Sequence, residues 1–266
     1  MRCAVRGKVG VMETSEDVRI ERLDGVLAIT LARPHKKNAL TASMYRQLLE
    51  ALALASAEAS IHAVLLEGEG GDFCAGNDIA DFVLLAREAA SFEQSDVWRF
   101  LQALAAFDKP LVAAVQGRAV GIGSTLLLHC DLVYVADNAS FSMPFVDLAL
   151  VPEAAASLLL PTRIGYLRAF ALFALGEALD ASAAVNLGLA NAALPTEQLM
   201  PRARAAARAL AGKPAQALQA TKKLMREHAR IQGVMASEGR EFARRLMSVE
   251  AQAIFQAFLG RRPPGR

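Results

Sequence analysis

Two apolar segments that each lead into a glycine-rich loop constrain the fold of this chain most strongly. His62–Glu67 (HAVLLE) is followed by GEGGDFCAG, and Leu111–Val115 (LVAAV) is followed by QGRAVGIGS. Apolar runs of this length, bounded by glycine, are typical of buried strands. Because helical periodicity follows both loops, the sequence predicts strand–loop–helix units and an α/β fold.

Further elements are encoded locally in the first part of the chain. The alternating segments Val18–Leu23 and Val26–Leu31 flank Asp24-Gly25, which predicts a β-hairpin. Thr41 is placed to cap the helix that follows it. One long amphipathic segment is predicted from about Ile79 to Phe107, and a strand from Leu132 to Val135.

From Pro152 onward the chain is rich in alanine and reads as mainly helical. Breaks are expected at Pro161, Gly176, Gly188, Pro195 and Pro214. We therefore predict three regions, which are a disordered tail over residues 1–15, a core over 16–200 and a helical C-terminal region over 201–266.

Composition excludes several classes of function. The chain has 266 residues, 54% hydrophobic and 21% charged, and this composition suits a globular protein with a sizeable core. A net charge of +2 gives no reason to expect nucleic-acid binding, and no apolar run is long enough to span a membrane. Cys3, Cys74 and Cys130 form no CxxC pair or zinc pattern, so we predict free thiols, no metal and a cytoplasmic location.

Three uses are conceivable for the stretch Gly121-Ile122-Gly123-Ser124. A dinucleotide fingerprint would need a third glycine where Leu126 stands. A nucleophilic Ser124 would need a base, and His129 points away from it on a helix. The third use is a helix start whose unpaired backbone N–H groups meet a developing oxyanion, although the glycines would equally serve close helix–strand packing.

A second loop has the same arrangement. In Asp72–Ile79 (DFCAGNDI) a strand again leads through a glycine to a helix start, where Asp78 is a candidate cap or first-turn acid. If each loop offers one backbone N–H, the two together can hold one carbonyl oxygen.

Four segments carry a resemblance to a known family. RPHKKNAL (33–40), FCAGNDI (73–79), KPLVAAVQGRAVGIGS (109–124) and LGLANAALP (187–195) resemble, in order and spacing, the crotonase or enoyl-CoA hydratase/isomerase family. The resemblance extends over the chain from about residue 18. It implies a spiral of ββα turns, a helical C-terminal region that forms a homotrimer or a hexamer, and an acyl-coenzyme A substrate without any separate cofactor.

The resemblance also assigns roles to the two loops. In the family, the backbone N–H groups that hold the thioester oxygen fall at Asn77 and Ile122 of this sequence. Ile122 replaces the middle glycine of the usual G-G-G, a change that a backbone donor tolerates. The candidate substrate contacts that accompany them are Lys36, Ala75, Gly76, Asp78, Ile79, Gly121, Thr125 and Phe145. Lys36 and Lys37 are equally well explained as a solvated basic loop.

The acid–base side chains differ from those of the family's hydratases. The two hydratase glutamates would fall at Thr125 and Phe145, and neither residue can act as a base. The segment PFVDLALVPE (144–153) instead resembles the peroxisomal-type Δ3,Δ2-enoyl-CoA isomerases, whose single base maps to Glu153. One carboxylate suffices for a 1,3-proton shift.

Alternatives remain open at this site. Glu153 follows Pro152 and is equally placed to be a first-turn acid of the next helix, and Asp147 is a weaker second candidate for the base. We expect an isomerase that works through an enolate. Enoyl-CoA hydration and acyl-CoA binding without turnover are the alternatives.

Overall fold

The computed structural model, which describes residues 17–87 and 89–260 and no side chains of residues 85–91, is built around a six-stranded sheet. Its strand order is β1-β2-β3-β4-β6-β9, and a smaller sheet has the order β5-β7-β8. The strands are β1 (Val18–Leu23), β2 (Val26–Leu31), β3 (Ala63–Gly68), β4 (Leu111–Val115), β5 (Arg118–Val120), β6 (Leu132–Ala136), β7 (Ser140–Ser142), β8 (Ala178–Asp180) and β9 (Ala192–Leu194).

Helices cover both faces of the large sheet and form most of the C-terminal region. They are α1 (Ala42–Ala57), α2 (Ile79–Arg87), α3 (Asp96–Ala106), α4 (Ile122–Thr125), α5 (Ala156–Ile164), α6 (Tyr166–Ala174), α7 (Ala181–Asn186), α8 (Thr196–Ala211), α9 (Ala215–Leu224), α10 (His228–Leu246) and α11 (Val249–Gly260). Short 3-10 segments lie at Pro34–Lys36, Ala89–Gln94, Leu126–His129 and Val146–Leu148.

Successive turns of the chain repeat one pattern. Each turn gives a parallel strand to the large sheet, then a short extended segment beside it, then a helix. β4, β5 and α4 form one turn, and β6, β7 and α5 form the next. In the turn of β3 and α2, the short segment is Cys74, which bridges to Ala119 of β5. This is the predicted ββα spiral of the crotonase fold.

The buried strands divide their side chains between two cores. Along β4, Leu111, Ala113 and Val115 face the main core, as the two-residue period of a strand requires. Val112 and Ala114 face the opposite side, where α8 packs its small alanines against the sheet. The sheet is therefore covered on both faces, which is why a strand such as β4 is apolar at every position.

Most locally encoded predictions are confirmed. β1 and β2 pair antiparallel around Asp24 and Gly25, and the Thr41 side chain accepts a hydrogen bond from Met44 N at 3.2 Å to cap α1. The long segment predicted from Ile79 to Phe107 is instead divided into α2, a 3-10 segment and α3. The division occurs because the Ser95 hydroxyl accepts the N–H of Trp98 at 3.2 Å and starts a new helix.

The predicted C-terminal organisation needs two corrections. Pro161 lies inside α5 and does not end it. The predicted boundary at residue 200 falls within α8, and this helix packs on the sheet of the core. The tail predicted over residues 1–15 lies outside the described residues. Among the helices that the structure describes, none is both long and apolar enough to cross a membrane.

Candidate active site

The two glycine-rich loops lie in direct backbone contact. Cys74 N donates to Arg118 O at 3.0 Å, and Val120 N donates to Cys74 O at 2.9 Å. A Cβ atom added to Gly123 would lie 2.5 Å from Cys74 O, and real Cβ atoms do not approach an oxygen so closely. The segments that carry Asn77 and Ile122 are thus brought together, with glycine required at the closest approach.

In the first loop, Asn77 follows a glycine in the left-handed conformation. The backbone groups on either side of Asn77 form hydrogen bonds with Leu40. Leu40 N donates to Gly76 O, and Asp78 N donates to Leu40 O, both at 2.8 Å. Gly76 has φ +92, which few other residues adopt. Among the described residues, the backbone N–H of Asn77 has no acceptor. The loop therefore presents that N–H group without an internal partner.

Asp78 starts the helix that follows this loop, as predicted. Its Oδ1 accepts the N–H of Ala80 at 3.0 Å, and its Oδ2 lies 2.8 Å from Nη1 of Arg33. Burial alone would raise the pKa of Asp78, but the Arg33 guanidinium and the backbone N–H groups hold it below its usual value. Asp78 is an ionised cap that ties the loop to the segment RPHKKNAL.

In the second loop, the two glycines have different purposes. Gly121 has φ 54 and accepts the N–H groups of Ser124 and Thr125 through its carbonyl oxygen, each at 2.9 Å. α4 then begins at Ile122, whose N–H group has no acceptor among the described residues. Gly123 provides the close approach to Cys74. The two alternatives for this stretch, a presented N–H and tight packing, therefore both hold, at different residues.

Ser124 is used in packing. Its hydroxyl is buried and donates to Ala119 O at 2.6 Å. His129 lies elsewhere, with Nε2 2.8 Å from Ala154 O and Nδ1 3.1 Å from Nη2 of Arg226. Because Arg226 can only donate, Nδ1 of His129 accepts and Nε2 carries the proton that goes to Ala154. No serine–histidine pair is formed at this position.

Glu153 is a buried carboxylate in a loop. Only 3% of the residue is exposed, and neither carboxylate oxygen has a hydrogen-bond partner among the described residues. Burial, and then the charge of Glu238, raise its pKa to about 8. The interpretation of Glu153 as a first-turn acid is wrong, because α5 begins only at Ala156. A buried carboxylate without a partner calls for an explanation, and a chemical role is one.

The loop that carries Glu153 has an unusual backbone. Ala149, Ala154 and Ala155 all have positive φ, between 55° and 59°. Left-handed alanine is unfavourable by about 1–2 kcal/mol per residue. The loop is held from outside, by His129 at Ala154 O and by Nε of Arg245 at Ala149 O, 3.0 Å away.

Tyr45 is a residue of this site that the sequence analysis did not select. It lies fully buried on α1, and its hydroxyl donates to Oδ1 of Asn77 at 2.5 Å. Burial raises its pKa, and the nearby charge of Glu153 adds to this rise. Tyr45 thus contacts the first loop directly, and it lies close enough to Glu153 for the charge of that carboxylate to raise the pKa of Tyr45. The sequence did contain a signal for Tyr45, since its hydroxyl group falls among the apolar, buried positions of α1.

Glu238 of α10 is the second residue that was missed. Its Oε2 accepts the N–H of Ala155 at 2.6 Å, and its Oε1 accepts the N–H of Ser157 at 2.8 Å. Burial raises the pKa of Glu238 to about 7, while these hydrogen bonds oppose the rise. It is therefore Glu238, and not Glu153, that caps the start of α5.

The remaining candidates fall into a buried and an exposed group. Thr125 and Phe145 are buried, and the Thr125 hydroxyl has no hydrogen-bond partner among the described residues. Lys36 lies exposed in a 3-10 turn. Asp147, the second candidate for the base, is exposed, whereas Glu153 is buried.

Two further features define the surroundings. Ala75 N donates to Lys37 O at 2.9 Å, and Ile79 is the first residue of α2, so both flank the first loop as predicted. A cavity of about 290 Å³ between α1, α2 and α3 reaches Tyr45 and Asn77. Within residues 17–87 and 89–260, no cluster of three His, Cys, Asp or Glu side chains could hold a metal ion.

Known proteins match the chain over nearly its whole length. The family model described as enoyl-CoA hydratase/isomerase matches residues 21–265. A probable enoyl-CoA hydratase of Rhodobacter capsulatus is 34% identical over 251 residues, which are 93% of this chain and 96% of that protein. Enoyl-CoA delta isomerase 2 of Rattus norvegicus is 31% identical over 262 residues, which are 97% of this chain and 67% of that protein.

A solved structure agrees with the fold. The structure of Pseudomonas aeruginosa OdaA superposes with a TM-score of 0.88 and 44% identity, over 93% of this chain and all of that one. The ββα spiral and the paired loops define a crotonase-type protein. The chain belongs to the enoyl-CoA hydratase/isomerase family.

Proposed function

We propose that the chain isomerises 3-enoyl-CoA thioesters to 2-enoyl-CoA thioesters, with Glu153 as the only base. The Glu153 carboxylate takes a proton from Cα, and the electrons of that C–H bond form an enolate. Backbone N–H groups of Asn77 and Ile122 hold the enolate oxygen. The electrons then return, the double bond moves from Cβ–Cγ to Cα–Cβ, and Glu153 gives the proton to Cγ. The reaction consumes no water and needs no other reactant.

The observation that carries the proposal is the state of the Glu153 carboxylate. Its two oxygens are buried and accept no hydrogen bond from the described residues, so no group of the protein competes with a substrate proton for them. A pKa raised to about 8 makes the group a stronger base and also an effective acid near neutral pH, as a shuttle that takes and returns one proton requires.

Hydration is less well supported, although relatives of both activities are known. A hydratase of this family uses two glutamates, and the corresponding positions hold Thr125 and Phe145. Glu238 is a second buried carboxylate near Glu153, but each of its oxygens already accepts a backbone N–H. Glu238 is therefore poorly placed to orient an attacking water.

The proposal includes an acyl-CoA substrate and assembly into a homotrimer or a hexamer, both of which the family resemblance implies. Exposed apolar side chains on α6 support the assembly, since isolated monomers seldom expose such a cluster.

The direct test compares Glu153→Gln with Asp147→Asn, which removes an exposed carboxylate from the same segment. For wild type, kcat/KM should rise with pH through an apparent pKa near 8, because the base must be ionised and its pKa is raised. Glu153→Gln should lower isomerisation of a 3-enoyl-CoA by about 10²–10⁴-fold, the usual contribution of a general base. Asp147→Asn should keep the wild-type rate.

The same assay separates the alternatives. If Glu153→Gln isomerises as fast as wild type, the base is assigned wrongly. If wild type hydrates 2-trans-enoyl-CoA and does not isomerise 3-enoyl-CoA, the protein is a hydratase. Tight binding of acyl-CoA with neither reaction would identify a binding protein.

A further inference from the structure

We propose that Glu238 is a positioning residue for the reaction, and that its carboxylate fixes the backbone of the loop that presents Glu153. This inference rests on the proposed function of Glu153. Glu238 itself touches neither the predicted oxyanion donors nor the oxygens of Glu153; it acts through the loop.

The geometry of Glu238 is that of a clamp. Its two carboxylate oxygens each accept a different backbone N–H, from Ala155 at 2.6 Å and from Ser157 at 2.8 Å. Glu238 is buried, and these two donors lie 81 and 83 residues away in sequence. Charge-assisted hydrogen bonds of this kind are among the strongest in proteins. The clamp therefore joins α10 firmly to the end of the Glu153 loop.

The loop needs such a clamp because its backbone is strained. Ala154 and Ala155, the two residues directly after Glu153, have φ of 59° and 55°. Residues in sparsely populated regions persist only where the surroundings determine them. Glu238 holds the N–H of Ala155, and His129 holds the carbonyl oxygen of Ala154. These two contacts fix the backbone at Ala154 and Ala155. They therefore also fix the direction in which the Glu153 side chain extends from the backbone.

The negative charge of Glu238 has a second effect. The two carboxyl groups lie close enough for the charge of Glu238 to disfavour ionisation of Glu153 and raise its pKa. Removing that charge should therefore make Glu153 ionise at lower pH, since one of the two causes of the raised pKa disappears.

Among the described residues, few other titratable groups surround Glu153 and Glu238. Tyr45 and Cys74 face Glu153 from α1 and the first loop; burial raises the pKa of both, so both are neutral at physiological pH. His129 is also neutral, because burial lowers its pKa to about 3. On the elements packed against α10, Glu93 is exposed, Asp96 pairs with Arg99, and Glu250 pairs with Arg245.

Three variants separate position from charge. Glu238→Gln removes the charge and can accept only one of the two N–H groups. Glu238→Asp keeps the charge but is one methylene too short to hold both N–H groups. Glu241→Gln is the matched control, since Glu241 lies partly exposed on the same helix and pairs with Arg244. Each variant is assayed for kcat and KM against pH with a 3-enoyl-CoA, and its fold is checked by circular dichroism.

The proposal expects different results from each variant. Glu238→Gln should lower the plateau kcat at least tenfold, leave KM within about twofold, and move the acid limb of kcat/KM down by about one pH unit. Glu238→Asp should lower kcat without moving the acid limb. Glu241→Gln should match wild type. A Glu238→Gln enzyme with the wild-type kcat and acid limb would overturn the proposal.

Amide hydrogen exchange provides a readout that does not depend on activity. Exchange at Ala155 and Ser157 should accelerate at least tenfold in Glu238→Gln and stay unchanged in Glu241→Gln. If wild type turns over no 3-enoyl-CoA, the proposed function fails, and this exchange together with infrared titration of the Glu153 carboxyl still tests the clamp. Unchanged exchange and an unchanged titration would reject it on their own.

Discussion

At the scale of single residues, Glu153 illustrates the conflict between stability and a reactive group. A buried carboxylate without hydrogen-bond partners destabilises the fold whenever it is ionised, because its desolvation is not compensated. The same isolation gives Glu153 a pKa of about 8, near the operating pH of most enzymes. The residue is thus unfavourable for folding for the same reason that it suits proton transfer.

This conflict predicts how stability depends on pH. The pKa of Glu153 is near 8 in the folded chain and near 4.5 in the unfolded chain, so the folded state alone keeps the proton between these values. Stability is then lost as pH rises, at up to about 1.4 kcal/mol per pH unit for this group until about pH 8. Glu153→Gln removes this dependence.

Thermal unfolding at pH 6 and pH 9 tests the expectation. The melting temperature of Glu153→Gln relative to wild type should rise by several degrees between the two pH values, since about 1 kcal/mol corresponds to 2–4 °C in a chain of this size. Asp147→Asn should show no such change because Asp147 is exposed. Parallel pH dependence in wild type and Glu153→Gln would mean that Glu153 is ionised in the fold at ordinary pH.

At the scale of elements, most of the features that depend on neighbours in sequence could be predicted. The hairpin, the Thr41 cap and the strands β3 and β4 depend on neighbours in sequence, so periodicity and capping residues sufficed. The division of the segment from Ile79 to Phe107 depends on one hydroxyl, that of Ser95, which an amphipathic pattern hides.

Replacing glycine by alanine should have opposite effects on stability at the contact between the two loops and in an open helix. Gly123→Ala should destabilise the protein by about 1–3 kcal/mol, because its Cβ would meet the backbone of Cys74. Gly233→Ala, in the middle of α10 with open space around it, should stabilise by about 0.5–1 kcal/mol. Urea unfolding measures both changes. Equal stability of the two variants would show that the loops are not in contact as described.

At the scale of the whole molecule, the candidate site was only half visible in the sequence. Asn77, Ile122 and Glu153 lie in motifs, and the structure brings the two loops together. Tyr45 and Glu238 lie on helices distant in sequence and became neighbours of the site only on folding. For Glu238 there was a signal, since this carboxylate occupies the apolar stripe formed by Met235, Phe242 and Leu246.

Assembly is a further expectation at this scale. Tyr166, Leu167 and Phe170 are 68%, 83% and 56% exposed on α6, and we expect this patch to be covered by another copy of the chain. Sedimentation of wild type should give three or six chains of 28.4 kDa. The double variant Leu167→Asp, Phe170→Asp should sediment as a smaller species, because burying two carboxylates at an interface is unfavourable.

A control variant on another face makes the result specific. Glu50→Lys changes the charge of an exposed position on α1 and should leave the mass unaltered. If the double variant keeps the wild-type mass, α6 is not part of the interface.

The contacts between α10 and the Glu153 loop can form only late in synthesis of the chain. Every contact that Glu238 and Arg245 make with this loop joins residues 81 to 96 positions apart. During synthesis, both glycine-rich loops and Glu153 leave the ribosome well before α10 exists. A nascent chain that ends after α9 contains every strand of the sheet, yet of the contacts that hold the Glu153 loop it has only the one from His129 to Ala154 O. Contacts made late in synthesis thus complete the surroundings of the proposed base, so a chain cut after α9 is expected to isomerise more slowly than one that includes α10.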